Sequence, residues 1–155
     1  MSAAFRWSIA AAMAAAASLA GPPAMAAPGD PVAFVKSLYA QPDLWWSVVG
    51  TPDTRSQYLT PQLVPLVGSN RTGVFKDNLP FDPLADDRPF LLSDETFALI
   101  GSDDDGTLVK VDFKDHDRAD TVTIKLVSSD SGDRWLVADI AFADGRTLLK
   151  LFKSM

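Results

Sequence analysis

Three short stretches of this chain gather side chains that can bind a cation or transfer a proton, and a fourth holds a lone carboxylate. They are "LPFDPLADDRPF" (79–90), "SDDDG" (102–106), "DHDRAD" (115–120) and "WLVADI" (135–140), which contains Asp139. Clustered carboxylates are typical of calcium sites and of acid–base catalysis, but they also form turns, because Asp bonds to nearby backbone amides. Each stretch therefore has a chemical and a structural interpretation.

The stretch 102–106 fits a calcium loop only in part. Asp103, Asp105 and Gly106 match the EF-hand template. However, Gly101 occupies the first ligand position, and Asp112 occupies the last, which requires a bidentate Glu. A hairpin turn explains the same residues, because Gly accepts the positive φ that such turns need. The sequence therefore predicts a turn here and no metal.

The only histidine, His116, lies between Asp115 and Asp117. An imidazole beside a carboxylate can act as a general base or bind a metal, but only if partners converge on it from elsewhere. With no cysteine and no second histidine, an ordinary zinc site cannot form. The chain also has no Gly-x-Ser-x-Gly motif and no phosphate-binding Gly-rich loop. We predict a solvated turn, no cofactor and no assigned catalytic residue.

Asp139 has interpretations that depend on which face of its strand is buried. Strict alternation places it beside Trp135 and Val137, and a carboxylate partly buried there would have a raised pKa suited to acid–base work. Alternatively, it forms a salt bridge with an arginine, or it is exposed. Exposure follows if the buried face consists of Leu136, Ala138, Ile140 and Phe142.

The stretch 79–90 predicts an anchored loop that crosses between the two halves of the fold. Pro83 and Pro89 restrict its backbone, and its carboxylates can accept hydrogen bonds from backbone amides (Asp82, Asp86, Asp87). Its apolar side chains can anchor it inward (Phe81, Leu84, Phe90). Such a loop can rim a pocket together with Trp45 and Trp46, which are either core residues or a recognition surface. The predicted ligand-binding residues are Tyr39, Trp45, Trp46, Asp82, Trp135 and Asp139.

Two short helices are predicted ahead of the sheet. Asp30 is a typical N-cap, and Pro31 is a typical first helical residue. The helix that follows has one apolar stripe, formed by Val32, Val35, Leu38 and Tyr39. Pro42 and Gly50 interrupt the chain, and Thr60–Pro61 starts a second helix through "PQLVPLVGS".

From Thr96 to Phe142 the apolar residues recur at every second position, in four runs separated by turns. The runs are "TFALIGS", "TLVKVDFK", "DTVTIKLVSS" and "RWLVADIAF". They predict an antiparallel meander whose strands each have one buried and one solvated face. The last run, "TLLKLFK", is either a fifth strand or a final helical turn, and we favour a short strand, so four to five strands are expected. The predicted fold class is therefore α+β, with short N-terminal helices packed on a curved antiparallel sheet.

The N-terminus predicts export. Arg6 precedes an unbroken run of apolar and small residues, and the spacing of Ala24 and Ala26 is that of a signal-peptidase site. We therefore interpret residues 1–26 as a secretory signal peptide and 27–155 as a single domain. The apolar run is shorter than a bilayer-spanning helix, and without cysteine no lipid anchor or disulfide can form. A periplasmic or secreted location, with no stable membrane anchor, follows.

The chain is acidic. Its net charge is −6, and removal of Arg6 with the signal peptide takes away one positive charge and leaves −7. Nucleic acid and anionic membranes are therefore not expected as partners. Glu95 is the single Glu, and the preference for Asp favours a chain rich in turns and strands.

Four stretches resemble the nuclear transport factor two-like superfamily, whose cone-shaped α+β fold is shared with cystatin-like proteins. They are, in order, "FVKSLY", "YLTPQLVPLV", "DPLADD" and the Trp-x-Val-x-Asp-Ile pattern of "WLVADI". Within this superfamily, the resemblance is to uncharacterised secreted bacterial families. It implies a sheet curled around helices, with a pocket at the mouth of the cone. It implies no single activity, because the fold hosts enzymes, ligand binders and interaction modules.

Three functional hypotheses are compatible with these features. The leading one is an exported, non-enzymatic binding or interaction domain whose partner is a small molecule, a peptide or a protein. The first alternative is an inhibitor or immunity-type protein that blocks a secreted enzyme. The second is an isomerase- or dehydratase-like enzyme that uses Asp139 with Tyr39 or Tyr58. The sequence leaves the oligomeric state open, a dimer included.

Overall fold

A computed structural model of the chain describes residues 28–41, 43–69, 82–85 and 92–154. The signal peptide predicted for residues 1–26 lies outside the described residues. The two ends of the predicted crossing loop also lie outside them, so that Asp82 is described whereas Asp86 and Asp87 are not.

Within the described residues, four helices precede the sheet and one follows it. They are α1 (Pro31–Tyr39), α2 (Leu44–Val49), α3 (Pro52–Tyr58), α4 (Leu63–Ser69) and α5 (Leu148–Lys153). α1 begins as predicted, with Pro31 as its first residue and the Asp30 carboxylate accepting a hydrogen bond from the Val32 amide at 2.9 Å. α4 confirms the second predicted helix, and the carbonyl of Thr60 accepts from the amide of Leu63 at 2.9 Å.

Two further helices, α2 and α3, occupy a stretch for which the sequence predicted no helix. Their boundary is set by Thr51, whose hydroxyl accepts from the Thr54 amide at 3.2 Å, while the Thr54 hydroxyl accepts from the Thr51 amide at 3.0 Å. This reciprocal capping box starts α3 directly after α2, which ends at Val49 with Gly50 as its C-cap. Pro52 lies in the first turn of α3, where a missing N–H leaves no helical hydrogen bond unmade. Proline and glycine therefore separate two helices here.

The predicted meander is confirmed. It consists of β1 (Leu92–Asp103), β2 (Gly106–Asp115), β3 (Arg118–Ser128) and β4 (Trp135–Phe142), paired antiparallel in the order β1-β2-β3-β4. Both predicted hairpin turns are confirmed as well. Gly106 has a φ of 138°, and His116 and Asp117 have φ values of 47° and 69°, the latter pair typical of a two-residue primed hairpin turn.

The last segment is a helix, so the strand favoured for "TLLKLFK" is wrong and the alternative of a final helical turn is confirmed. The Thr147 hydroxyl accepts from the Lys150 amide at 3.3 Å and caps α5. Leu148 and Phe152 are separated by one helical turn and are both buried, so the segment follows helical periodicity. In so short a run, the periodicity of a strand is hard to tell from that of a helix. The N-cap at Thr147 determines that the segment is helical.

One apolar cluster joins the helices to one face of the sheet. Alternate residues of β2 and β3 belong to it, as predicted (Val109, Val111, Phe113, Val122, Ile124, Leu126). The helices contribute Val35, Leu38 and Trp45, among others. The predicted α+β class is therefore confirmed. Among the described residues, no helix has the length and apolar character needed to cross a membrane.

Candidate functional site

A buried carboxylate fixes the middle of the crossing loop to the first two helices. Asp82 is 1% exposed. Its Oδ2 accepts from the Trp45 amide at 3.0 Å, and its Oδ1 accepts from the Leu84 amide at 2.8 Å. The Tyr39 hydroxyl donates to the carbonyl of Leu84. We call Tyr39, Trp45, Asp82 and Leu84 the Asp82 cluster. It anchors the described part of the loop, as predicted.

Burial dominates the electrostatics of the Asp82 cluster. It raises the pKa of Asp82 to about 7, although the hydrogen bonds from the Leu84 and Trp45 amides act in the opposite direction. Burial also raises the pKa of Tyr39 well above its ordinary value, and the negative charges of Asp82 and Glu95 raise it further. Tyr39 is therefore a neutral donor, and Asp82 titrates near neutral pH.

The geometry of Asp82 favours a structural role over a catalytic one. A carboxyl group with a pKa near neutrality is common among general acids and bases. Here, however, both carboxylate oxygens already accept backbone hydrogen bonds, and the side chain is almost closed to solvent. The raised pKa therefore follows from anchoring the loop inside the core.

The paired tryptophans have different environments. Trp45 is 0% exposed, whereas Trp46 is 44% exposed. α2 causes this split, because Trp45 shares its buried face with Val48 and Val49, three and four residues later. The Trp45 indole N–H has no hydrogen-bond partner in the described part of the chain. Of the two roles considered for this pair, Trp45 therefore has that of a core residue, and Trp46 faces outward.

Asp139 does not share a strand face with Val137, so the alternation predicted for "WLVADI" is wrong. Asp139 pairs with Lys125, but Val137 pairs with the next residue of β3, Leu126, which leaves Ala138 as an extra residue in β4. This bulge turns Asp139 away from the core while Val137 stays fully buried.

The Asp139 carboxylate connects β4 to α5. Its Oδ1 accepts from the amides of Ile140 and Leu149, both at 2.9 Å. It lines a groove of about 360 Å³ together with Lys125 and Leu149. Within the described residues it forms no salt bridge with an arginine, and neither Tyr39 nor Tyr58 lines this groove. Asp139 therefore does not share a groove with either tyrosine of the hypothetical enzyme site.

Trp135 holds the segment before α1 against the start of β4. Its indole N–H donates to the carbonyl of Gly29 at 2.6 Å. The ring is partly buried against the core. Of the six predicted ligand-binding residues, the structure therefore brings Tyr39, Trp45 and Asp82 together in the interior and leaves Trp46, Trp135 and Asp139 apart from them.

The two acidic turns remain solvated. The His116 imidazole is exposed, and its Nδ1 lies 2.7 Å from the Asp115 carboxylate, its neighbour in the chain. Asp104 and Asp105 lie at the tip of the other hairpin and are exposed. Over the described ranges, no group of three His, Cys, Asp or Glu side chains is placed to hold a metal ion.

A groove of about 540 Å³ lies between α3–α4 and the loop that joins β3 to β4. Buried Leu59 and Leu136 line it, and so does the exposed Arg134. Its volume is in the range of small-ligand sites, about 300–1,000 Å³. However, the hydroxyls of Ser56 and Ser129, which also line it, already donate within the protein. The sequence analysis missed this groove, because its lining residues come from distant parts of the chain.

The two edges of the sheet differ. Along β4, Leu59 forms a bridge with Val137, and Thr147 forms a bridge with Ala141, so other segments of the chain cover this edge. Along β1, no further strand pairs with the outer edge in the part of the chain that the structure describes. In the part of the chain that the structure describes, other segments therefore contact the β4 edge, whereas the β1 edge has no partner strand.

Apolar side chains are exposed at the open edge. Leu99 is 53% exposed, and Ile100 is 52% exposed. Leu99 pairs with Val109, so it lies on the face of the sheet that carries the core, yet the helices do not cover it fully. The sequence analysis identified this strand but not its edge position. The sequence did contain a sign of this exposure, the unbroken apolar run 97–100. A strand with one solvated face would instead alternate apolar and polar residues.

Comparison with protein-family profiles, curated proteins and solved structures gives no match for this chain. The resemblance to the nuclear transport factor two-like superfamily therefore remains a prediction. The geometry of the chain itself must therefore indicate the function, and the edge of β1, unpaired among the described residues, carries exposed apolar side chains.

Proposed function

We propose that this chain is an exported, non-enzymatic interaction domain that binds an extended segment of another protein along β1. The observation that carries the proposal is the edge of β1, which no other described segment pairs and where Leu99 and Ile100 are each about half exposed, whereas two bridges cover part of the β4 edge. An unpaired edge presents backbone N–H and C=O groups in the order that another strand needs. Strand addition of this kind is a common mode of peptide recognition.

The interior of the domain supports an interaction role over a catalytic one. Three of the six candidate binding residues are occupied in the Asp82 cluster, and the hydroxyl of Tyr39 is committed to a backbone carbonyl. The other tyrosine of the enzyme hypothesis, Tyr58, is partly buried and lies 6.3 Å from the ring of Phe34. Asp139 holds α5 in place. These contacts leave the isomerase- or dehydratase-like alternative without the pair it requires, Asp139 with Tyr39 or Tyr58.

The inhibitor or immunity-type alternative is a special case of the same proposal. An exported inhibitor can bind its target enzyme through the β1 edge, and the identity of the partner separates the two. The cone-shaped sheet implied by the superfamily resemblance is also part of the proposal. It fits a four-stranded meander with helices on one face, and binding at β1 does not depend on it.

A photo-crosslinking experiment in the native cell envelope tests the interaction role. A benzophenone amino acid placed at Ile100 should form a discrete crosslinked product with one partner protein, because this position lies at the proposed binding edge. The same amino acid at Trp46 is the control, since both positions are about half exposed and apolar. Mass spectrometry of the product identifies the partner. Equal, diffuse labelling from both positions would contradict the proposal.

Export is the second element of the proposal, and the mature N-terminus tests it. The A-x-A spacing at Ala24 and Ala26 predicts that the mature protein begins at Ala27. Intact-mass analysis of protein from the native cell envelope should give the mass of residues 27–155. A protein that retains Met1, or that is found only in the membrane fraction, would rule out this export route.

A further inference from the structure

We propose that the segment bound at β1 is a short apolar stretch flanked on both sides by lysine or arginine, and that it adds to the sheet as a fifth strand. This inference rests on the proposed interaction role and specifies its partner. Three features of β1 carry it: the length of its regular part, the face on which its apolar side chains lie, and the charges at its two ends.

Two bulges limit the length of the segment that can pair with β1. The register between β1 and β2 shifts between Ser93 and Thr96 and again between Leu99 and Gly101. Only the part from Thr96 to Leu99 lies between the bulges in continuous register. Bulges bend an edge and interrupt pairing, so a partner strand can follow β1 over about 13 Å, at ~3.3 Å per residue. A partner that would pair with β1 as a long, flat strand is therefore excluded.

The side chains within this regular part call for an apolar partner. Phe97 pairs with Val111, so it lies on the core face of the sheet. The helices cover Phe97, because the Tyr39 ring lies 5.3 Å away, edge-on, and the Lys36 ammonium lies 5.8 Å from its centroid. Leu99 lies on the same face without such cover. An apolar side chain of an added strand would lie beside Leu99 and remove it from water.

The charges at the two ends of β1 call for a basic partner. Asp94 and Glu95 lie directly before the regular part, and the exposed Asp104 and Asp105 lie in the hairpin turn beyond the other end of β1. Both Asp94 and Glu95 are exposed, and Asp94 also pairs with Lys114 at 2.8 Å. β1 itself contains no lysine or arginine. A segment with a basic residue on each side of its apolar stretch would place opposite charges at both ends.

The same charges argue against a second copy of the chain at this edge. An antiparallel pair of β1 strands, centred on the regular part, would bring Asp94 and Glu95 of one copy toward the end beyond which Asp104 and Asp105 of the other lie. Two acidic proteins of equal charge also repel each other on approach. A basic partner therefore fits better than self-association.

A labelled peptide tests the inference directly. The probe is fluorescein-Lys-Lys-Val-Thr-Val-Ile-Val-Lys-Lys-amide, and fluorescence anisotropy with the purified mature protein measures its Kd. We expect saturable binding that weakens at least about tenfold when salt rises from about 20 mM to about 500 mM, because exposed charges are screened. A peptide with Glu in place of every Lys should bind at least about tenfold more weakly. A peptide with N-methylated core amides should not bind measurably, since it cannot pair as a strand.

Matched variants of the protein localise the binding. Glu95→Lys should weaken binding of the Lys-flanked peptide about threefold to tenfold, because it reverses a charge at the end of β1. Asp53→Lys makes the same change of charge at an exposed residue of α3 and should leave the Kd within about twofold. Circular dichroism of both variants confirms that they are folded.

Each outcome has a distinct meaning. Equal affinity for the Lys- and Glu-flanked peptides overturns the basic partner and leaves the interaction role intact. Equal affinity for the N-methylated peptide, or equal losses in Glu95→Lys and Asp53→Lys, overturns strand addition at β1. If no peptide binds, the inference fails, and a crosslink from Ile100 in the cell envelope shows that the interaction role survives without it. A dimer in sedimentation analysis that Leu99→Lys dissociates would assign this edge to a second copy and overturn the inference.

Discussion

The protein should lose stability as pH rises from about 5 to about 8, and Asp82→Asn should remove most of that loss. In the folded protein the pKa of Asp82 is raised from 3.8 to about 7, mainly by burial. Between these two values the folded state holds a proton that the unfolded state has released. The free energy of unfolding therefore decreases as pH rises through this window, and the loss is complete above about pH 7. At ~1.4 kcal/mol per pKa unit, it amounts to at most roughly 4 kcal/mol.

Urea unfolding at about pH 5 and about pH 8, followed by circular dichroism, measures this effect. At low pH, Asp82→Asn should be about 1–3 kcal/mol less stable than the wild type, because the hydroxyl oxygen of the neutral carboxyl can still accept a backbone N–H and the amide N–H₂ of Asn cannot. At high pH it should be the more stable of the two, since it buries no charge. The stability curves should therefore cross. Asp43→Asn, at an exposed carboxylate just before α2, is the control and should keep the pH dependence of the wild type. Parallel curves for the wild type and Asp82→Asn would contradict the assignment.

The pH response of Asp82 illustrates why a perturbed pKa does not identify a catalytic residue by itself. Desolvation raises the pKa of a carboxyl group in an active site and in a buried anchor alike. An active-site carboxyl and a buried anchor differ in whether their oxygens already accept hydrogen bonds within the protein. Both oxygens of Asp82 accept backbone amides, from α2 and from the loop itself. Burying this carboxylate costs free energy. The backbone hydrogen bonds that offset part of this cost form only when the loop is in its native position.

Local sequence signals were sufficient where a single element decides the structure. The Asp30–Pro31 pair predicted the start of α1, and the alternation in β2 and β3 predicted which side chains are buried. These signals failed where a helix cap or a one-residue bulge overrides the periodicity of the apolar residues. The capping box at Thr51 produces α3, the cap at Thr147 makes the last segment helical, and the extra residue Ala138 turns Asp139 out of the core. No periodicity argument detects a one-residue bulge, because only the pairing with the neighbouring strand defines it.

The candidate site was predictable in its parts but not in its arrangement. The sequence predicted that the crossing loop and Trp45 can rim one pocket, and in the structure Asp82 and Trp45 are joined by a hydrogen bond at 3.0 Å across 37 positions of the chain. It could not show that this contact is buried, because burial depends on how several distant segments pack together. The open edge of β1 depends in the same way on the order of the whole sheet. An apolar run in a strand indicates that its side chains contact other apolar groups. Only the fold shows whether those groups belong to the same domain or to a partner.

The paired tryptophans give the second large effect: Trp45→Ala should destabilise the protein by about 3–5 kcal/mol, whereas Trp46→Ala should change its stability by less than about 1 kcal/mol. Trp45 is fully buried against the core, so its truncation leaves a large cavity. Trp46, its neighbour in the chain, is 44% exposed and leaves little. The comparison is closely matched, because the same side chain is removed from adjacent positions of α2.

Trp45→Phe separates the packing of the ring from the role of its N–H. The Trp45 indole N–H is buried without a hydrogen-bond partner among the described residues, so Phe removes a polar group that gains nothing from burial. We therefore expect Trp45→Phe to cost about 1–2 kcal/mol, well below the cost of Trp45→Ala, because most of the apolar volume is kept. Chemical denaturation followed by far-UV circular dichroism is the suitable measurement, since the variants change the fluorescent residues themselves. If Trp45→Phe proved as destabilising as Trp45→Ala, the indole N–H would have to bind a polar group inside the fold, and the apolar environment assigned to Trp45 would be wrong.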